Sequence, residues 1–155
     1  MNDSPLTLVR AEDGDWLAVD AEQRTIGRGG PSRRPGPGTF VSVDAWTAAA
    51  FDLIASALLA ELPPPLLTLV ADGDHDLLAA WRRHGFVVRR RETLYRIPLD
   101  PSPAVTPPGA WRVRSKPGVA PFLAAQADPA DGAAVAVIEQ AGGTAVETTV
   151  ELVRS

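Results

Sequence analysis

Asp72, Asp74 and Asp76 alternate with Gly73 and His75, the way a calcium loop begins, since hard cations take closely spaced carboxylate oxygens. Such a loop also needs Gly at its sixth position and a bidentate Glu at its twelfth. Leu77 and Arg83 stand there instead, which excludes calcium. His75 and His84 each lie next to a helix end, and neither has a His or Cys partner at ligand spacing, so no metal site is expected. Cysteine is absent, which removes thiolate catalysis, disulfides and thiolate zinc sites. No serine sits in a Gly-x-Ser-x-Gly elbow, so a serine hydrolase has no support. The strongest remaining signal is basic: Arg82, Arg83, Arg89, Arg90, Arg91 and Arg96 are opposed within residues 82–96 by Glu92 alone. A stripe of that kind fits a small anionic ligand or a partner surface, or is simply a solvated strand face.

The whole chain is acidic nonetheless, with a formal net charge of −4 over 155 residues. Neutralising nucleic-acid phosphates needs a surplus of Lys and Arg, so a dedicated nucleic-acid binder is not expected. The apolar fraction of 45% and charged fraction of 22% are those of an ordinary globular domain. Fifteen prolines and thirteen glycines predict long loops. The start, residues 1–10, has no apolar signal core, and no run approaches the roughly 20 apolar residues of a membrane span. A cytoplasmic protein of a GC-rich bacterium, with arginine strongly preferred over lysine, is the expectation.

The elements that must position these groups are legible in outline. Asp15–Asp20 and Thr25–Gly30 read as a hairpin, Gly29–Gly38 as an irregular loop, and Thr39–Val43 as a β-branched strand. A helix is predicted over Ala45–Leu62, capped by Asp44, with Phe51, Ile54, Leu58 and Leu62 on one stripe. Pro63, Pro64 and Pro65 stop it. Leu66–Ala71 is continuously apolar, as a buried strand should be. Asp74 can cap a second helix whose Leu77, Leu78 and Trp81 form its apolar face. Arg82, Arg83 and His84 suit the negative end of its dipole, and Gly85 is its stop. A strand carrying the basic cluster follows. Residues 101–110 read as a Pro-rich linker, Trp111–Ser115 as a strand, and Ala133–Ile138 with Thr144–Val153 as a hairpin around Gly142 and Gly143.

The order of helix, Gly-Phe stop and strand resembles the closing unit of the GNAT (GCN5-related) N-acetyltransferases, whose signature is roughly N-x-x-A-x-x-x-Y-x-x-x-G-F. It stands here as Asp74, Leu77, Trp81, Gly85 and Phe86. Over residues 14–100 the chain is similar to the N-terminal half of two-domain actinobacterial members. The resemblance implies an α+β fold: a mixed, mainly antiparallel sheet of GNAT type with helices on both faces. It divides the chain into a GNAT-like domain (1–100), a linker (101–110) and a C-terminal strand and hairpin segment (111–155). A full domain of that family has a first strand and two helices ahead of the hairpin, for which the first fourteen residues are too short. The C-terminal strands are therefore expected to complete the sheet, or the edge is covered by another chain in a homo-oligomer or dimer.

The resemblance also implies acetyl-CoA as cofactor and an amine, of a small molecule or a protein, as acceptor. In this family backbone N–H groups of a [QR]-x-x-G-x-[GA] loop grip the pyrophosphate at the start of the central helix. Arg24, Gly27 and Gly29 fit that expression and are the candidate cofactor residues, although a strand is expected after them. At the family's own place stand Ala50, Phe51, Asp52, Leu53, Ile54 and Ala55, with no glycine. The family's general-acid Tyr position holds Trp81, whose indole has no usable acidity. No catalytic residue is expected to survive. The expectation is thus a GNAT-like acetyltransferase with a degenerate cofactor loop, or alternatively a catalytically silent binding or oligomerisation module.

Overall fold

The computed structural model describes residues 5–32, 34–114 and 116–155. Two compact units interleave along the sequence: residues 1–69, 74–87 and 152–155 form the first, and 70–73 with 88–151 the second. Residues 101–110 thus fall inside the second unit.

In the first unit, β1 (Thr7–Arg10), β2 (Trp16–Val19), β3 (Thr25–Ser32) and β4 (Thr39–Ala45) form an antiparallel meander. The hairpin between β2 and β3 follows from its turn, where Asp20 Oδ1 accepts the N–H groups of Glu22 and Arg24, both at 2.9 Å. β1 supplies a strand where the sequence offered only a short leader. β4 then meets β5 (Leu66–Ala71) in parallel, but only through Thr39 opposite Leu66 and Phe40 opposite Leu67.

The helix between them, α1 (Ala48–Glu61), starts three residues later than expected. Its cap is Thr47, whose side chain accepts from Ala50 N–H, and not Asp44, which continues β4. The buried stripe is Ala50, Phe51, Ile54, Ala55 and Leu58. α2 (His75–Arg83) is capped by Asp74 as its sequence predicts, and Gly85 takes the positive φ that ends it. Trp81 and Phe86, each 1% exposed, meet edge to face at 4.7 Å, and Phe51 closes on Trp81 at 4.9 Å.

In the second unit, β6 (Val87–Pro98) pairs antiparallel with β8 (Phe122–Ala127), and β7 (Trp111–Val113) lies outside β8. β8 had no counterpart among the predicted strands. Residues 133–138 are not half of a hairpin: they lie in α3 (Gly132–Gln140), capped by Asp131 and followed by Gly142 at positive φ. Alanine favours the helix, and Asp131 accepts the Ala134 N–H at 3.1 Å, so caps outweigh the β-branched Val135, Val137 and Ile138. β9 (Thr144–Arg154) flanks β6, and Asp72 N–H donates to Thr148 O at 2.9 Å, which sets the end of β5 beside it. The C-terminal third therefore does contribute strands to a sheet. Tyr95, Ile97, Ala125, Ala127 and Ile138 form this unit's core. Among the described residues no helix is long and apolar enough to cross a membrane.

Candidate functional site

The site is built where β4 and β5 part. After two pairs the ladder stops, and the Thr68 hydroxyl donates across the gap to Val41 O at 2.8 Å. From Ser42 to Ala45, β4 keeps its register with β3 but has no strand partner on the β5 side among the described residues. The chain then turns through Trp46 and Thr47 into α1. Trp46 is fixed by its backbone, whose N–H donates to Ile26 O at 2.9 Å, while its indole is 81% exposed. Ala48 and Ala49, the first helical residues, are exposed, and the Ala50 N–H is taken by Thr47 Oγ1 at 3.1 Å.

These residues and the outer turns of α2 enclose a cleft of about 510 Å³. Phe51, Leu77 and Ala80 give it apolar walls, and Asp44, Asp74 and Asp76 also line it. Its one cationic wall residue, Arg83, is held by Asp52 at 2.9 Å. The same Asp52 oxygen lies 2.8 Å from His84 Nε2, so one carboxylate ties α1 to the end of α2. Burial opposes the Asp52 charge, but the hydrogen bonds from His84 and Arg83 outweigh it and hold the carboxyl below the usual range. A larger cavity of about 800 Å³ lies elsewhere in this unit, beside Arg10, Asp15 and Glu61. Of its lining residues, Arg10 pairs with Glu61 at 3.0 Å, and Asp15 is held by Arg28 at 2.9 Å.

The string that fits the phosphate-loop expression is occupied otherwise. Arg24 sits in the hairpin turn, paired with Asp20 at 2.9 Å and Glu22 at 2.6 Å. Gly27 and Gly29 lie within β3 beneath α1. A Cβ at Gly27 would come within 2.9 Å of Ile54 Cδ1, and one at Gly29 within 2.6 Å of Ile54 Cγ2. The glycines let helix and strand approach, and the helix fills the space a phosphate would need. Residues 50–55, where the resemblance placed the phosphate loop, are helical throughout, and α1 begins two residues before them at Ala48. Trp81 is core, and Tyr95 lies in the other unit's core.

The basic stripe pairs internally: Arg89 and Arg90 approach the buried Glu151 at 3.8 and 3.0 Å, and Arg91 reaches Asp72 at 3.4 Å. Among the described residues no group of His, Cys, Asp and Glu is arranged to hold a metal ion. Sequence reasoning missed Trp46 and Thr47, and placed Asp52 at the expected loop without foreseeing its bonds to Arg83 and His84. The Thr-Ala-Ala-Ala run from Thr47 was the available signal, a capping residue followed by good helix formers.

Several solved structures resemble this chain, among them two acetyltransferases. A GCN5-related N-acetyltransferase from Sphaerobacter thermophilus superposes with a TM-score of 0.56 at 10% identity, covering 90% of this chain and 80% of its own. A proposed acetyltransferase from Pyrococcus horikoshii gives 0.55 at 10% identity, covering 92% and 74%. No protein-family model and no curated protein matches the sequence. The chain therefore has the α+β, acyl-CoA N-acyltransferase-like fold of the GNAT proteins, and the cleft at the parting of β4 and β5 is its candidate site.

Proposed function

We propose that this chain is a catalytically silent GNAT-fold module, and that transfer of an acetyl group from acetyl-CoA to an amine has been lost. The carrying observation is the state of residues 50–55. They form the interior of α1, with Phe51 packed on Trp81 and Asp52 bonded to Arg83 and His84. A pyrophosphate needs free backbone N–H groups and an unblocked approach, and neither exists at these positions. The charge is also wrong, since three aspartates line the cleft and Arg83 is already neutralised. The residues present do not fit the cofactor. Trp81, fully packed, offers no proton to a departing thiolate.

The alternative, a working acetyltransferase, is favoured by one feature: Ala48 and Ala49 leave the first turn of α1 sterically open. Titration with acetyl-CoA, followed by melting temperature and calorimetry, separates the two. Silence predicts a dissociation constant of about a millimolar or weaker, roughly −4 kcal/mol, with little thermal stabilisation and no amine acetylation above background. Micromolar saturable binding with turnover would overturn the reading. Trp81→Tyr alone restores nothing under it, because the loop would still be helix. The module is read as acting in a bacterial cytoplasm, on a protein partner or a second copy of itself.

A further inference from the structure

We infer that the cleft between β4, the start of α1 and α2 is a docking groove for an extended, arginine- or lysine-bearing segment of a partner protein. This rests on the silent-module reading, since the groove occupies the place a cofactor would take. Trp46 carries the first part of the argument. Its indole lies on the rim at 81% exposure, and among the described residues its Nε1 has no hydrogen-bond partner, whereas Trp16 Nε1 donates to Glu61 at 2.8 Å. The fold needs Trp46's backbone, which closes onto Ile26, and makes no use of its ring. A large ring left in water beside a cavity is what a binding anchor looks like before its partner arrives.

Charge then selects the occupant. Asp44, Asp74 and Asp76 line the groove, and none of them takes part in an ion pair among the described residues. Arg83 is bound to Asp52, so the unbalanced charge is negative. A cation over an indole face, with carboxylates nearby and Phe51 and Leu77 for its hydrocarbon stem, satisfies all three kinds of surface at once. The main chain of the occupant also has a place. Among the described residues β4 from Ser42 to Ala45 has no strand partner on the β5 side, and an extended segment can add to such an edge by backbone hydrogen bonds. A groove of about 510 Å³ accommodates one or two side chains of that segment.

The test uses the whole chain and a capped five-residue peptide of alternating alanine and arginine. The control peptide has glutamate in place of arginine, and acetyl-CoA is a third titrant. Binding is read by tryptophan fluorescence and calorimetry. The arginine peptide should bind, more weakly as ionic strength rises, and the glutamate peptide should not. Trp46→Ala and the double variant Asp44→Asn/Asp76→Asn should each weaken binding roughly tenfold, the size of one cation–π or charge contact. Asp74 is left in place because it caps α2. All substituted side chains are exposed, and melting curves confirm that each variant folds. Absence of arginine-peptide binding, equal binding of both peptides, or unchanged affinity in both variants overturns the inference. None of those results touches the silent-module reading, which fails only if acetyl-CoA itself binds tightly.

Discussion

Trp81 stands at the position where the family resemblance places a proton donor, and it is enclosed by Phe51 and Phe86. Its role is packing. Trp81→Ala should lower unfolding free energy by about 3–5 kcal/mol, the range for emptying a large aromatic site, as measured by chemical denaturation. A loss below about 1 kcal/mol would remove Trp81 from the core. Asp20 shows the electrostatic counterpart. The backbone N–H of Arg24, above all, holds its carboxyl below the ordinary value, helped by the Arg24 side chain and the Glu22 N–H, and opposed by burial. As pH falls, the unfolded chain takes up this proton first, near its ordinary value of about 3.9. The stabilisation is therefore complete above that value and is lost as pH drops through the lower folded one. Asp20→Asn should be less stable at neutral pH, and its urea midpoint should converge on that of the parent as the pH falls below the ordinary carboxylate value of about 3.9. A constant gap through that fall would mean the charge of Asp20 contributes nothing.

At the scale of elements, the packing of α1 on β3 depends on two residues without side chains. Gly27→Ala would push a methyl against Ile54 Cδ1, and overpacking of this kind costs about 1–3 kcal/mol. Ile54→Val removes that Cδ1, so Gly27→Ala should cost less in the Ile54→Val background, a coupling that a double-mutant cycle reads directly. Additive losses would show that the contact is not the reason for the glycine. The sequence made several elements plain because local and long-range signals agree there. Leu66–Ala71 is apolar at every position but Thr68 and is flanked by breakers, and α2 has Asp74 before it and Gly85 after it. Where two signals compete, local reading fails. Asp44 and Thr47 both precede the long helix and both are good caps, and only pairing with β3 decides that Asp44 belongs to a strand. Residues 133–138 mix alanine with β-branched side chains, and α3 forms because Asp131 caps it. β1 and β8 are short and depend on partners distant in sequence, so nothing local announces them. The candidate site was the least legible part: the resemblance led to Arg24, Gly27 and Gly29, whereas the cleft is lined by Trp46 and Thr47, which carry no recognised spacing.

For the molecule as a whole, β9 carries weight in both units, since residues 144–151 belong to the second and 152–154 to the first. Val150 and Leu152 are both fully buried, and each such side chain contributes about 1.5–3 kcal/mol. A chain ended at Gly143 loses both, against a total stability of typically 5–15 kcal/mol. Its thermal transition, followed by circular dichroism, should be broad or absent. A sharp transition near the parent's melting temperature would show that β9 is dispensable.

The interleaving of the two units also bears on how the protein is made. A ribosome delivers the chain from its N-terminus, and domains arranged in series can fold one after another as they emerge. Here the first unit is interrupted after residue 69, resumes at 74, breaks off again at 87 and receives its final residues from 152 onward. Neither unit is complete until nearly all of this sequence has left the exit tunnel. Completion of both units therefore waits for β9, and Leu66, Leu67 and Val70, apolar and buried in the finished fold, spend the interval exposed to whatever chaperones attend the nascent chain.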